Sequence, residues 1–293
     1  MVIDLNNSIN EIIGLVDNNR LEQAKIKAIK VNLKNDILYN VLGIIYLKLN
    51  EHSEAIDSFK KAIELNNEFL SAIINLAICF QEIKDTDNAI ITYKKALKIN
   101  PNMHQIYNDI ALLHKNNNEI ETAINYLEKC LKIQPNYFNA YFNLGSIYKK
   151  INKYKEAIFY LEKTIEIKPD YYECYFELGE INRKIKNFDN ANYYYAKSKN
   201  EKTSYKKLQC LYEEGNIKSY LEEMERIIKF EPNNRRIASL ATFVSNQLNI
   251  KNIYPFCIDP FNFVYQSSLN KYFNNENDFI NTLLEELSNI DFK

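Results

Sequence analysis

The sequence predicts an all-α chain built from repeated pairs of helices, and three observations lead there. Residue types recur every 34 positions, with Pro101, Pro135 and Pro169 as the plainest series. Within each period the apolar residues fall at helical spacing. Only 5 glycines and 6 prolines interrupt 293 residues, too few breakers to punctuate a sheet protein, and the 46% apolar content is enough for an extended core.

The repeat is visible column by column. Ala55, Ala89, Ala123, Ala157 and Ala191 form one series, and Leu42, Leu76, Ile110, Leu144 and Leu178 a second. Gly43, Ala77, Ala111, Gly145 and Gly179 form a third, Tyr39, Ile73, Tyr107, Tyr141 and Tyr175 a fourth, and Phe59, Tyr93, Leu127, Leu161 and Tyr195 a fifth. At about 100° per residue, Tyr141, Leu144, Gly145 and Tyr148 share one stripe of a first helix, while Ala157, Leu161 and Thr164 share one stripe of a second. Gly145 and Ala157 are small enough to let the two helices approach, and the tyrosines fill the space beside them. Pro169 cannot continue a helix, so it closes one unit and opens the next. A single pair cannot bury its apolar stripe, so successive pairs must stack.

This order of a large aromatic, Leu-Gly, Tyr, then Ala, an aromatic or Leu, and a closing Pro resembles the tetratricopeptide repeat family. The resemblance covers residues 36–205 as five successive 34-residue units. It implies a right-handed superhelical solenoid of antiparallel helix pairs, with a concave groove that receives an extended peptide or a partner helix. Residues 1–35 are expected to be a divergent, shortened first repeat, because Ala24 and Ala28 fall out of register with the later columns. Residues 206–250 are expected to hold a degenerate repeat, marked by Leu211, Gly215, Tyr220 and Pro232, and then a helix over 235–249. Terminal repeats are atypical because one face meets water.

Charge and composition exclude several functions. Lys+Arg number 37 against 38 Asp+Glu, so no net field draws the chain to nucleic acid or an anionic membrane. The opening MVIDLNNSIN lacks the basic and apolar regions of a signal peptide, and no apolar run approaches the ~20 residues that span a bilayer. A cytoplasmic location is expected. Five cysteines without a CxxC pair fit reduced thiols, with Cys130 in the small-residue column of Ala62 and Ala96. His114 shares its column with Tyr46, Phe80 and Tyr148, which makes it a packing residue. No HxD, HExxH, GxSxG, GxGxxG or Walker pattern is present. No catalytic residue, cofactor or metal is expected, and the expected partner is a protein or peptide, with no nucleic acid, membrane or small-molecule substrate.

Function is therefore sought on the first-helix face opposite the packing stripe. One column there reads Val41, Asn75, Asp109, Asn143 and Glu177. Asn75 and Asn143 are similar to the asparagine ladder in the repeat region of O-linked N-acetylglucosamine transferases, where the resemblance implies amides that grip a peptide backbone. The other reading is a solvated polar face. Neighbouring columns make the N-terminal half apolar, through Ile37, Val41, Ile44, Ile78 and Leu112, and the C-terminal half polar, through Asn139, Ser146, Glu173 and Glu180. Contiguous exposed aliphatics on a soluble chain need a cover, either a partner or the neighbouring helices. The candidate groove residues are thus Ile37, Val41, Ile44, Asn75, Ile78, Asp109, Leu112, Asn143, Ser146 and Glu177.

Residues 251–293 read differently. Pro255 and Pro260 forbid a continuous helix among clustered aromatics, and Phe279, Ile280, Leu283, Leu284 and Leu287 then fall at helical spacing. This extension is read either as a cap or groove filler, or as a junction. Its wording is similar to the junction leading into Fe(II)/2-oxoglutarate oxygenase domains on some repeat proteins. In that alternative the chain is the substrate-recruiting region of such an oxygenase, or of a glycosyltransferase, whose catalytic domain is absent from it.

Overall fold

The computed structural model of the chain describes residues 5–31, 34–199, 202–231 and 234–254. Fifteen α-helices and no strand occur among these described residues. The chain divides into two compact units at Pro169/Asp170. The first unit holds α1 (Leu5–Asp17), α2 (Leu21–Val31), α3 (Asp36–Lys48), α4 (His52–Leu65), α5 (Leu70–Glu82), α6 (Thr86–Ile99), α7 (His104–Asn116), α8 (Ile120–Ile133), α9 (Phe138–Lys150) and α10 (Tyr154–Ile167). The second holds α11 (Tyr172–Lys184), α12 (Phe188–Lys197), α13 (Thr203–Glu213), α14 (Ile217–Phe230) and α15 (Arg235–Leu248). Each unit is a solenoid of antiparallel helix pairs in which successive helices pack on one another, except that α15 packs back on α13. Before the first regular pair, α1 has 13 residues and α2 has 11. In the stretch 206–250, α13 packs on both α14 and α15, and Pro232 lies outside the described residues.

Turn chemistry makes the partners antiparallel. Each first helix is followed by a three-residue turn whose middle residue is left-handed: Asn19, Asn50, Lys84, Asn118, Asn152, Lys186 and Gly215 all have φ between 57° and 79°. In the α3/α4 turn the N–H of Glu51 donates to the carbonyl of Tyr46 at 2.9 Å, and that of Asn50 to Leu47 at 3.0 Å. The same two bonds recur at Asp85 and Lys84, Glu119 and Asn118, Lys153 and Asn152, and Asn187 and Lys186. This is the Schellman ending, which satisfies the last carbonyls of the helix and reverses the chain. Asparagine tolerates the left-handed conformation through its short polar side chain; lysine has no such compensation.

The small-residue column sets the spacing of the pairs. A Cβ added to Gly43 would fall 2.5 Å from Phe59 Cε1, one on Gly145 would fall 2.6 Å from Leu161 Cγ, and one on Gly179 would fall 2.6 Å from Tyr195 Cδ1. The large partners Phe59, Leu161 and Tyr195 are fully buried, as are Ala55, Ala157 and Ala191. A second recurring contact lies one helical turn along the first helix: His114 stacks on Tyr126 at 5.4 Å and Tyr148 on Tyr160 at 5.3 Å.

Two substitutions test this construction by thermal melting. Gly145→Leu overpacks the α9/α10 contact and is expected to lower stability by ~1–3 kcal/mol; an unchanged Tm would contradict the close approach. Lys84→Gly removes the left-handed strain, offset in part by glycine's entropy, and is expected to raise stability by up to ~1 kcal/mol; a lower Tm would contradict the turn assignment.

Candidate functional site

The first helices of the first unit present one face that their own second helices do not cover. Its residues sit at very different depths. Ile37 is 45% exposed, whereas Val41 is 7% exposed and belongs to the core formed by Ile9, Ile12, Val16, Leu38 and Ile45. Ile44 is half-buried against Phe59, Leu76 and Cys79, and Ile78 is half-buried against Ile73, Tyr93 and Ile110. Asn75, Asp109, Leu112 and Ser146 are half-buried, and Asn143 is 8% exposed. Glu177 is half-buried on α11, in the second unit.

Both asparagines of this column are engaged by side chains of the preceding first helix. Asn75 Nδ2 donates to Asn40 Oδ1 at 3.0 Å, and Asn143 Nδ2 donates to Asn108 Oδ1 at 2.8 Å. Each bond joins the first helices of consecutive pairs, α3 to α5 and α7 to α9, which pack on one another. Asn40 and Asn108 occupy the position one residue before the column and lie two repeats apart, and Asn75 and Asn143, in the column itself, lie the same distance apart. The two bonds therefore repeat with every second unit. Buried amides need such partners, since each would otherwise lose its hydration without replacement.

Asp109 differs from its neighbours in the column. Burial pushes its carboxyl above the ordinary value, and a 3.4 Å contact from Asn108 Nδ2 opposes that only in part. Further along α7, Lys115 Nζ donates to Ser146 Oγ at 2.9 Å, and Lys150 Nζ on α9 donates to Asn118 Oδ1 at 3.0 Å. These basic residues near the ends of first helices are engaged with polar side chains of adjacent pairs, and they also complement the helix dipole.

The corresponding face of the second unit carries a charge network. Glu180 accepts from Tyr195 Oη at 2.5 Å and from Lys206 Nζ at 2.9 Å, with Arg183 at 3.8 Å. Arg183 also pairs with Glu213 at 2.7 Å. Burial works to raise the Glu180 carboxyl, but the bonds from Tyr195 and Lys206 and the charges of Lys206 and Arg183 outweigh it, so the group lies below its ordinary value of 4.5. Burial and the adjacent Glu180 carboxylate together push the Tyr195 hydroxyl far up. The network crosses α11, α12 and α13, and sequence spacing alone did not expose it, because Lys206 and Glu213 come from the irregular repeat.

The groups that carry chemistry elsewhere are packed here. Cys79, Cys130, Cys174 and Cys210 are buried, and burial pushes the thiols of Cys79 up to about 11 and of Cys130 and Cys210 up to about 12. Such thiols are protonated and unreactive near neutral pH. His114 is buried and meets Glu119 at 2.7 Å through Nδ1, in keeping with a packing role. Among the described residues no three His, Cys, Asp or Glu side chains are placed to hold a metal ion, and no helix is long and apolar enough to cross a membrane. The residues that carry the oxygenase-junction resemblance, from Pro255 onward, lie outside the described residues; Tyr254 before them is buried and receives the N–H of Asn234 at 3.0 Å.

Comparison with known proteins agrees with the fold. Two family models described as tetratricopeptide repeat match the chain, one over residues 37–69 and 138–171 and the other over 70–103 and 104–137. Curated proteins give no match. Among solved structures, the C-terminal part of a TPR repeat-containing protein from Cytophaga hutchinsonii aligns with a TM-score of 0.67 at 18% identity, covering 79% of this chain and 98% of that one. PilF of Pseudomonas aeruginosa aligns at 0.56 and 18%, covering 71% and 96%. MamA aligns at 0.50 and 22%, covering 64% and 98%. At these identities the likeness is one of fold.

The charge network yields a pH dependence with a defined sign. Because the folded carboxyl of Glu180 titrates below its unfolded value, its stabilising contribution is fully present above 4.5 and is lost as pH falls through the lower folded value. Glu180→Gln is therefore expected to be less stable than the wild type at pH 7, with the gap closing in urea melts taken stepwise below pH 4.5. A gap that stays constant with pH would contradict the network.

Proposed function

Residues 37–171 of the chain are tetratricopeptide repeats, and from that premise we propose that the protein is a non-catalytic interaction scaffold holding a peptide or partner helix in the groove along α3, α5, α7 and α9. The observation that carries this reading is the accessible part of that face. Ile37 is exposed, and Ile44, Ile78 and Leu112 remain half-buried although the helices on either side are in place. Aliphatic side chains left partly open in a continuous series are what a docking segment covers. Val41 and Asn143 support the groove from below, since both are buried, and the accessible set is Ile37, Ile44, Asn75, Ile78, Asp109, Leu112 and Ser146. Glu177 belongs to the equivalent face of the second unit.

The hydrogen-bonded asparagines give the groove its rigidity rather than its grip. A preordered surface loses less conformational entropy on binding than one that must be assembled. Binding through aliphatic contacts fits a protein or peptide ligand, and the balanced net charge of −1 gives no long-range attraction for nucleic acid or an anionic membrane. A cytoplasmic location belongs to the same reading.

The double variant Ile37→Asp, Ile78→Asp tests the groove. Circular dichroism is expected to show an intact helical fold, and affinity capture with mass spectrometry is expected to show loss of partners held by the wild type. A folded variant that captures the same set would place the interaction elsewhere.

A further inference from the structure

Asp109 is an acidic group with no cationic partner among the described residues, at the middle of the proposed groove. It is half-buried, and its hydrogen-bond partner is Asn108 Nδ2 at 3.4 Å, a group whose own oxygen is taken by Asn143. Among the described residues no ion pair joins a lysine or arginine to its carboxylate, and Lys115 on the same helix donates to Ser146. Removing a carboxylate from water without a counter-charge is unfavourable, and an asparagine of the same shape avoids the penalty. The pairs immediately before and after do have asparagine at this position, Asn75 and Asn143. An amide there would carry no charge to desolvate, although it would lack the partner that Asn40 gives Asn75 and Asn108 gives Asn143, since the equivalent position is Ile74. The acid makes sense as a group waiting for a partner's charge. Leu112, three residues on, shares its helix face, and Ile78 supplies the aliphatic surface of the preceding pair.

We propose that Asp109 determines the specificity of the groove, and that the occupant is a peptide segment carrying one lysine or arginine between aliphatic residues. This rests on the reading of the first-helix face as a binding groove. The cation pairs with the Asp109 carboxylate while the flanking aliphatics cover Ile78, Leu112 and Ile44. An ion pair formed in this half-desolvated place is stronger than one on the open surface, and a segment without a cation leaves the carboxylate buried and unpaired. Selection thus works by attraction of one class of segment and rejection of the rest.

The test pans the full chain against a random-peptide library and measures the enriched peptides by fluorescence anisotropy. Peptides whose binding is lost with Ile78→Asp are expected to share a Lys or Arg, and Asp109→Asn is expected to weaken them by about tenfold or more. Asp109→Asn is also expected to melt no lower than the wild type, which separates loss of binding from loss of fold. Asp109→Lys is expected to shift the enriched set toward acidic peptides. Peptides that depend on Ile78 but carry no cation, or ignore Asp109→Asn, would overturn this inference and leave the groove standing. Peptides indifferent to both positions, or a library without any Ile78-dependent binder, would overturn the groove reading as well.

Discussion

Each of the helix pairs α3/α4, α5/α6, α7/α8, α9/α10 and α11/α12 has glycine or alanine on the first helix opposite a ring or a leucine on the second. At Gly43, Gly145 and Gly179 even a methyl group would fall within 2.6 Å of the opposing side chain. The contact fixes the distance between the helices, and the left-handed turn residue fixes their direction. With both set, every pair buries the same stripe against its partner and turns the remaining face of the first helix toward its neighbours. The open face is thus a by-product of how the pair closes. Its composition is free to vary with function, because the stripe that folds the pair does not include it.

Much of this was legible in the sequence because the repeat samples the same constraint five times. Columns of Gly or Ala opposite Phe, Tyr or Leu announced the close approach, and the helix expected over 235–249 is observed as α15, Arg235–Leu248. The turn column of Asn50, Lys84, Asn118, Asn152 and Lys186 was present at the same period but carried a weaker message. Lysine is an unusual left-handed residue, so two of its five members conceal the conformation that the asparagines suggest.

The face itself was less legible. Sequence spacing put Val41 and Asn143 in one column, but their depth depends on how first helices of consecutive pairs approach, which no single-helix pattern records. The same cause hid the bonds from Asn75 to Asn40 and from Asn143 to Asn108. Their partners lie one residue off the column that an asparagine ladder would use, and the bonds skip alternate pairs. Seen in place, they turn polar residues that look available for a ligand into struts between helices. What remains accessible is mostly aliphatic, with one carboxylate in its midst.

The most direct measurement is site-specific photocrosslinking in living cells from two positions of the first unit. One probe replaces Ile78 on the first-helix face, and the other replaces Ile91, which is 64% exposed on the second helix of the same pair. If closure of the pairs leaves the first-helix face for a partner, position 78 forms discrete crosslinked products and position 91 does not. Products from position 91 with none from position 78 would contradict it.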